Sequence, residues 1–266
     1  MDVNARQKRF PLASVVMASY NARPWISDTV KSILSQDYSP LELVIVDDAS
    51  TDGTLSLLNS IKDRRVRVYR NKKNLGLSAT CNRGLKLARG EYINFFDDDD
   101  LMLPGAVRKR AKFLSGHKES QIVFGYTQQI IGKDGRVLKR YERKGVFPSQ
   151  RHFEEYKRSL RFLRLFKTID FNIMRRFFLP PLSSLNNLLV RKSLIERVGL
   201  FRPDLKVMND SDYMFRLIQA SPFHFIDVPV KHYRFHGGNT TCCSSEGLIS
   251  RERRMLRNKG YDEENH

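Results

Sequence analysis

Residues 15–54 read VVMASYNARPWISDTVKSILSQDYSPLELVIVDDASTDGT, and their periodicity decides the fold. A short apolar run, Val15 to Ala18, gives way to a helical pattern from Pro24 to Leu34 and then to a second apolar run, Leu41 to Val46. Pro24 suits a first helical turn, where its missing N–H costs nothing. The alternation continues outward, with a helix over Thr54 to Ile61, a strand at Val66 to Tyr69, a helix over Ser78 to Ala88 and a strand at Tyr92 to Phe96. Gly90, after Leu87-Ala88-Arg89, reads as a helix stop. Strands alternating with helices are the mark of β-α-β units. The expected class is therefore α/β, a Rossmann-like, mainly parallel sheet flanked by helices.

Beyond Pro104 the pattern changes. A helix through Leu114, a strand at Ile122 to Ile131, a hairpin turn at Lys133-Asp134-Gly135-Arg136, a strand-like Leu185 to Val190, a short helix ending at Gly199, a helix over Ser211 to Ala220 and an extended Phe223 to Phe235 are expected. Residues 1–266 read as one domain: a nucleotide-binding half at about 12–104, a smaller acceptor-side half at about 105–240 and a tail at 241–266. At 266 residues the chain is long enough to bury a core without staples.

Composition narrows the function classes. Cys81, Cys242 and Cys243 make no disulfide framework, which points to a reducing compartment. The first twenty residues lack a signal-peptide pattern and no run approaches the ~20 apolar residues of a spanning helix. A cytoplasmic protein, peripheral at the inner membrane face, is expected. The net charge of +18 implies attraction to polyanions. Half of it sits at 133–176, with 14 Lys or Arg against 5 Asp or Glu.

The predicted strands end in Ser19-Tyr20-Asn21, Asp47-Asp48 and Asp97-Asp98, and ligands of open parallel sheets bind at the carboxyl ends. Four consecutive carboxylates, Asp97 to Asp100, raise each other's pKa unless a cation occupies the cluster. Mg²⁺ or Mn²⁺, which take carboxylate oxygen and bridge phosphates, are the natural occupants. An aromatic face at Tyr20 and an acceptor at Asp48 suit a nucleoside. A solvated acidic turn, a rim tyrosine and a helix cap are the plainer readings of the same residues.

These stretches, with NLGLSATCNRGLKLARGEYINFFDDDDLMLP at 74–104 and the later blocks SSLNNLLVRKSLIERVGLFRPDL, NDSDYMFRLIQ and HYRFHGGNTT, resemble the inverting glycosyltransferase family 2 with its GT-A fold. The resemblance is continuous over about 12–104 and weaker over 105–184. It implies transfer of a sugar from a nucleotide diphosphate, UDP first, to a hydroxyl of a glycan or lipid-linked acceptor in surface polysaccharide synthesis. Carried over, it places Ser19, Tyr20, Asn21, Asp48, Asp97 and Asp98 on the donor, with Tyr20 stacked on the base. Asp99 is the first candidate for metal ligation, with Asp97 or Asp98 on ribose or metal through water; with four Asp in a row the register is ambiguous by one. His236 matches a His that in some members ligates the metal or touches the diphosphate, and Arg234 shares its strand face. Asp210 falls on the base that deprotonates the acceptor; its preceding acidic partner is here Asn209, and Asp212 is its rival.

The basic helix-like segment, with Lys157, Arg158, Arg161 and Arg164 among Phe153, Tyr156, Leu160, Phe162, Leu163 and Phe166, suits an anionic membrane surface or a solvated helix face. Two other classes compete: a nucleotidyltransferase, which calls for a glycine-rich loop where Tyr20-Asn21-Ala22-Arg23 stands, and a basic nucleic-acid-binding protein. No recognised nucleic-acid motif appears, so no specific nucleic-acid partner is expected.

Overall fold

A computed structural model describes residues 10–140, 184–221, 223–239, 247–248, 251–252 and 255. The predicted alternation takes shape as β1 (Ala13–Ser19), α1 (Ile26–Leu34), β2 (Leu41–Asp47), α2 (Thr54–Ser60), β3 (Val66–Arg70), α3 (Leu77–Leu87) and β4 (Tyr92–Phe95). These strands pair in parallel in the order β3-β2-β1-β4, with Ala13 opposite Leu41 and Ser19 opposite Asp47. Parallel register brings Ser19, Asp47 and the chain after Phe95 to one sheet edge.

The second half supplies β5 (Leu101–Met102), α4 (Ala106–Gly116), β6 (Ile122–Gly132), β7 (Val137–Arg140), β8 (Leu188–Arg191), α5 (Lys192–Val198), α6 (Asn209–Ala220) and β9 (Phe223–Phe235). The five strands join the same sheet, which runs β3-β2-β1-β4-β8-β6-β9-β5 with β7 beside β6. β8 lies antiparallel to β4 and to β6, whereas β9 runs parallel to β6 over its length. The fold is thus a mixed, mainly parallel sheet of GT-A type, with a smaller region built on β5, β6, β7 and β9.

Side-chain alternation along β1 feeds two cores. Val15 and Met17 pack with Ile26, Val30 and Ile33 of α1 and with Val107, Ala111 and Leu114 of α4. Val16, one residue out of phase, packs on the opposite face with Leu85 of α3, Ile195 of α5 and Tyr213 of α6. A strand buried on both faces must read as a continuous apolar run, and that is how Val15 to Ala18 reads.

Three expectations are corrected. Gly90 is not a helix stop: α3 already ends at an extended Ala88, and a Cβ on Gly90 would lie 2.6 Å from Ser14 Oγ and 2.7 Å from the Leu12 carbonyl. Its hydrogen is required by the close pass against β1. The strand-like Leu185 to Val190 opens as a 3-10 turn, Leu185–Asn187, because the Ser184 hydroxyl accepts Asn186 N–H and diverts it from the ladder. Helix α6 begins at Asn209 rather than Ser211, which places Asp210 inside its first turn. The basic segment at 150–178 and Cys242 and Cys243 lie outside the described residues.

Candidate active site

The four aspartates after β4 leave the sheet edge in different directions, and each meets a different partner. Asp97 accepts from Asn186 Nδ2 and lies 3.8 Å from Lys231 Nζ. Asp98 accepts the Tyr20 N–H at 3.1 Å. Asp99 Oδ2 receives His236 Nε2 at 3.0 Å and Asn239 Nδ2 at 3.2 Å. Asp100, fully buried, is bound by the Lys231 ammonium and by the Arg234 N–H at 2.8 Å.

Burial, then the charge of Asp97, pushes Asp98 up to about 7. Asp99 is pushed up to about 9 by burial and by its three acidic neighbours. A site that holds protons at neutral pH for want of countercharge is one that a cation stabilises. Asp97, Asp99 and Asp100 each offer an oxygen within 4.8 Å of the others. A set of carboxylate oxygens is the donor chemistry of a hard divalent cation. Within this set Asp100 is the most committed, bound by both Lys231 and Arg234.

His236 stands beside this group, in contact with Asp99. Gly238 N–H donates to its Nδ1 at 3.1 Å, so the neutral ring carries its proton on Nε2 and donates it to Asp99. Burial, and secondarily Arg234, keep the imidazole below its ordinary pKa and hence neutral. The ring stacks on Trp25 at 5.1 Å, and the Arg234 guanidinium lies over the same indole at 4.9 Å. Arg234 Nε also donates to the Asp99 carbonyl at 2.9 Å. The chain after β9 is thereby tied to both α1 and the acidic cluster.

The residues that the resemblance assigns to the donor line the adjoining strand ends. Ser19 is buried at the end of β1, and Tyr20, 49 % exposed, stands at the rim. Asn21 adopts a left-handed φ of 52°, tolerated by a short polar side chain. Its backbone N–H binds Ser50 Oγ and its amide oxygen accepts Thr51 N–H, so it stitches the β1 loop to the β2 loop. Asp48 is buried and accepts three donors, Asn71 Nδ2 at 2.7 Å and the Leu75 and Gly76 N–H groups at 2.9 Å. It holds the loop that opens α3, one wall of the same crevice.

Asp210 projects from the first turn of α6. Burial, then the Asp97 charge, pushes it up to about 7, with Lys231 opposing. A carboxyl poised near neutrality is suited to take a proton. Asp212 is committed elsewhere: fully buried, it pairs with Arg216 at 2.9 Å and faces Arg202 at 3.9 Å. Sequence reasoning gave no role to Asn186, Lys231 or Asn239. Asn186 sits in the block SSLNNLLVRKS, whose paired asparagines inside an apolar run were the available signal; Lys231 had none, since a basic residue in an alternating strand reads as solvated.

A nucleotide-type sheet with Asp97, Asp99 and Asp100 gathered after β4, and a half-buried Asp210 in the helix turn nearby, has the frame of a nucleotide-sugar transferase. The chain belongs to glycosyl transferase family 2, whose sequence model matches residues 14–180, and is a glycosyltransferase. It is 28% identical over 255 residues to the Escherichia coli UDP-Glc:alpha-D-GlcNAc-diphosphoundecaprenol beta-1,3-glucosyltransferase WfaP, covering 94% of this chain and 87% of that one. With the putative teichuronic acid biosynthesis glycosyltransferase TuaG of Bacillus subtilis it shares 37% identity over 134 residues, 49% of this chain and 52% of that protein. The fold is shared with S. aureus TarS 1-349 in complex with UDP-GlcNAc, at a TM-score of 0.64 and 20% identity over 88% of this chain and 61% of that one. The mannosyltransferase PcManGT from Pyrobaculum calidifontis, in complex with GDP-Man and Mn2+, superposes at 0.59 and 19% identity, over 93% and 61%. Among the described residues no helix is long and apolar enough to cross a membrane.

Proposed function

We propose that this chain transfers a hexose from UDP, glucose being the first candidate, to a hydroxyl of a lipid-linked diphosphoglycan, with inversion, in the assembly of a surface polysaccharide. The observation that carries the reading is the match along nearly the whole chain to a UDP-glucose-dependent enzyme with a diphosphoundecaprenol acceptor. The acidic cluster beside Asp210 supplies the chemistry that reading needs.

Tyr20 at the rim offers a face for the base, while Asn21 and Asp48 hold the two loops between which a nucleoside fits. Asp99 and Asp97 would hold a divalent cation, Mn²⁺ or Mg²⁺, while His236, whose Nε2–H is given to Asp99, orients that carboxylate instead of ligating the ion. Bound there, the cation supplies charge neutralisation for the departing diphosphate. Asp210 takes the proton of the acceptor hydroxyl as that oxygen attacks the anomeric carbon from the side opposite the phosphate. One base suffices for a single displacement, which inverts the configuration. The basic segment at 133–176 brings the enzyme to the anionic cytoplasmic face of the membrane, where the lipid-linked acceptor resides.

Thermal stabilisation by UDP, GDP and dTDP, with and without Mn²⁺, tests the reading on wild type and Asp99→Ala, since a ligand of the folded state raises its apparent stability. UDP should stabilise wild type only with metal, and the substitution should abolish the effect. If no nucleotide moves the transition while random DNA does, the charge serves nucleic acid and the transferase assignment of this site falls.

A further inference from the structure

Glu252 is only 2 % exposed, and its carboxylate is filled by main chain. Oε1 accepts the Lys206 N–H at 2.8 Å; Oε2 accepts those of Val207 at 3.0 Å and Met208 at 2.9 Å. Successive N–H groups converging on one point form a nest for an anion. Here the chain fills that nest itself, from a residue 44 to 46 positions downstream.

The location gives the contact its meaning. Met208 is the N-cap of α6 and makes no side-chain capping bond of its own. Two residues later comes Asp210. On its other side the same segment is gripped by α3: Asn82 both donates to and accepts from the Phe201 main chain at 2.8 Å, while Ser78 Oγ donates to the Leu205 carbonyl at 3.1 Å and lies 3.3 Å from Asn209 Nδ2. The start of α3 rests in turn on Asp48 through Leu75 and Gly76. The turn carrying Asp210 is therefore held from the donor side by α3 and from the tail by Glu252.

We propose that Glu252 is a positioning residue for the reaction: by filling the nest at 206–208 it fixes the first turn of α6, and with it the place and burial of Asp210, without touching substrate. The inference rests on Asp210 being the base. A carboxylate is needed because three donors share its two oxygens; a carboxamide turns an NH₂ toward one of them, and alanine leaves all three without it. Freed, the turn hydrates and Asp210 moves with it. A base displaced by an ångström forfeits turnover while leaving the nucleotide half untouched.

Glu252→Ala and the milder Glu252→Gln are compared with wild type and Asp210→Asn, using UDP-glucose and Mn²⁺ and reading UDP release, with a synthetic GlcNAc-diphospholipid or water as acceptor. The Ala variant should lose about 10- to 100-fold in kcat, the scale of a small misplacement, with the KM for UDP-glucose changed by less than about threefold. UDP should still stabilise it thermally, amide exchange at 206–208 should accelerate, and the acid limb of kcat/KM should move to lower pH as Asp210 becomes hydrated. Added formate, which fits the vacated nest, should restore part of kcat. The inference is overturned if kcat and the acid limb stay at wild-type values, or if UDP stabilisation is lost in step with kcat, since Glu252 would then serve the fold alone. Wild-type turnover by Asp210→Asn would sink the base assignment and this inference together, whereas an inactive Asp210→Asn beside unaffected Glu252 variants would sink only this one.

Discussion

The Lys231 ammonium and the Asp100 carboxylate meet in a salt bridge from which solvent is excluded on both sides. The Arg234 N–H completes the carboxylate at 2.8 Å, and Lys231 also faces Asp97. Burial alone would lower the Lys231 pKa, but the surrounding carboxylates outweigh it and hold it above the ordinary value. One cation built into β9 thus balances part of a four-aspartate cluster before any metal binds, and it fastens β9 to the end of β4.

Breaking one partner of such a pair strands a buried charge. Lys231→Met should destabilise the protein by about 3–5 kcal/mol, read as a fall in the urea midpoint. Adding Asp100→Asn in the same chain should recover a large part of that loss. If the double variant is no more stable than the single one, the pair is not what Lys231 contributes.

Asp210→Asn should move activity and stability in opposite directions. The folded-state pKa of about 7 lies above the unfolded value. Asp210 therefore favours folding below the unfolded pKa and loses that advantage as pH rises through about 7. At pH 8 the amide should thus leave Tm unchanged or higher, while kcat falls by about 10²- to 10⁴-fold, the usual contribution of a general base. A lower Tm with ordinary turnover would mark Asp210 as a structural cap.

What was legible in the sequence follows from what is local. The strand and helix periods of the first hundred residues have no competing reading, because β1, β2 and β4 are mainly apolar and buried along their length. Asp97 to Asp100 announced themselves by mutual repulsion. Of the partners that separate their roles only His236 was picked out, by resemblance; Asn186, Lys231 and Asn239 reach the cluster from 89 to 140 positions away. Gly90 was misread for the same reason: its constraint comes from β1, 76 residues earlier. Glu252 had no local signature at all.

Gly90→Ala tests that reading of the β1 contact. With Ser14 Oγ and the Leu12 carbonyl inside 3 Å of the new methyl, backbone must shift, at a cost of about 1–3 kcal/mol. A helix-stop glycine in an unstrained conformation would tolerate alanine with little change in Tm. Chemical denaturation of this single variant separates the two.

Asn186→Ala removes the amide that orients Asp97 without removing a carboxylate. Outer partners of metal ligands typically tune affinity by about 10- to 100-fold. The Mn²⁺ concentration for half-maximal activity should rise on that scale, with kcat at saturating metal largely retained. An unchanged Mn²⁺ titration would show that Asp97 does not ligate the ion.

The pH profile ties the base to its surroundings. Asp210 must be ionised to accept a proton, so kcat/KM should fall about tenfold per unit on the acid side. Burial is the first cause of its raised pKa and the Asp97 charge the second. A cation bound at Asp97 offsets the second cause and leaves the first, so the limb with Mn²⁺ should lie below about 7 yet above the ~4 of a hydrated aspartate. Asp97→Asn, assayed at saturating metal, should shift the limb little further, because the ion has already cancelled that charge. A profile flat from pH 5 to 8 would mean that the proton leaves to another group.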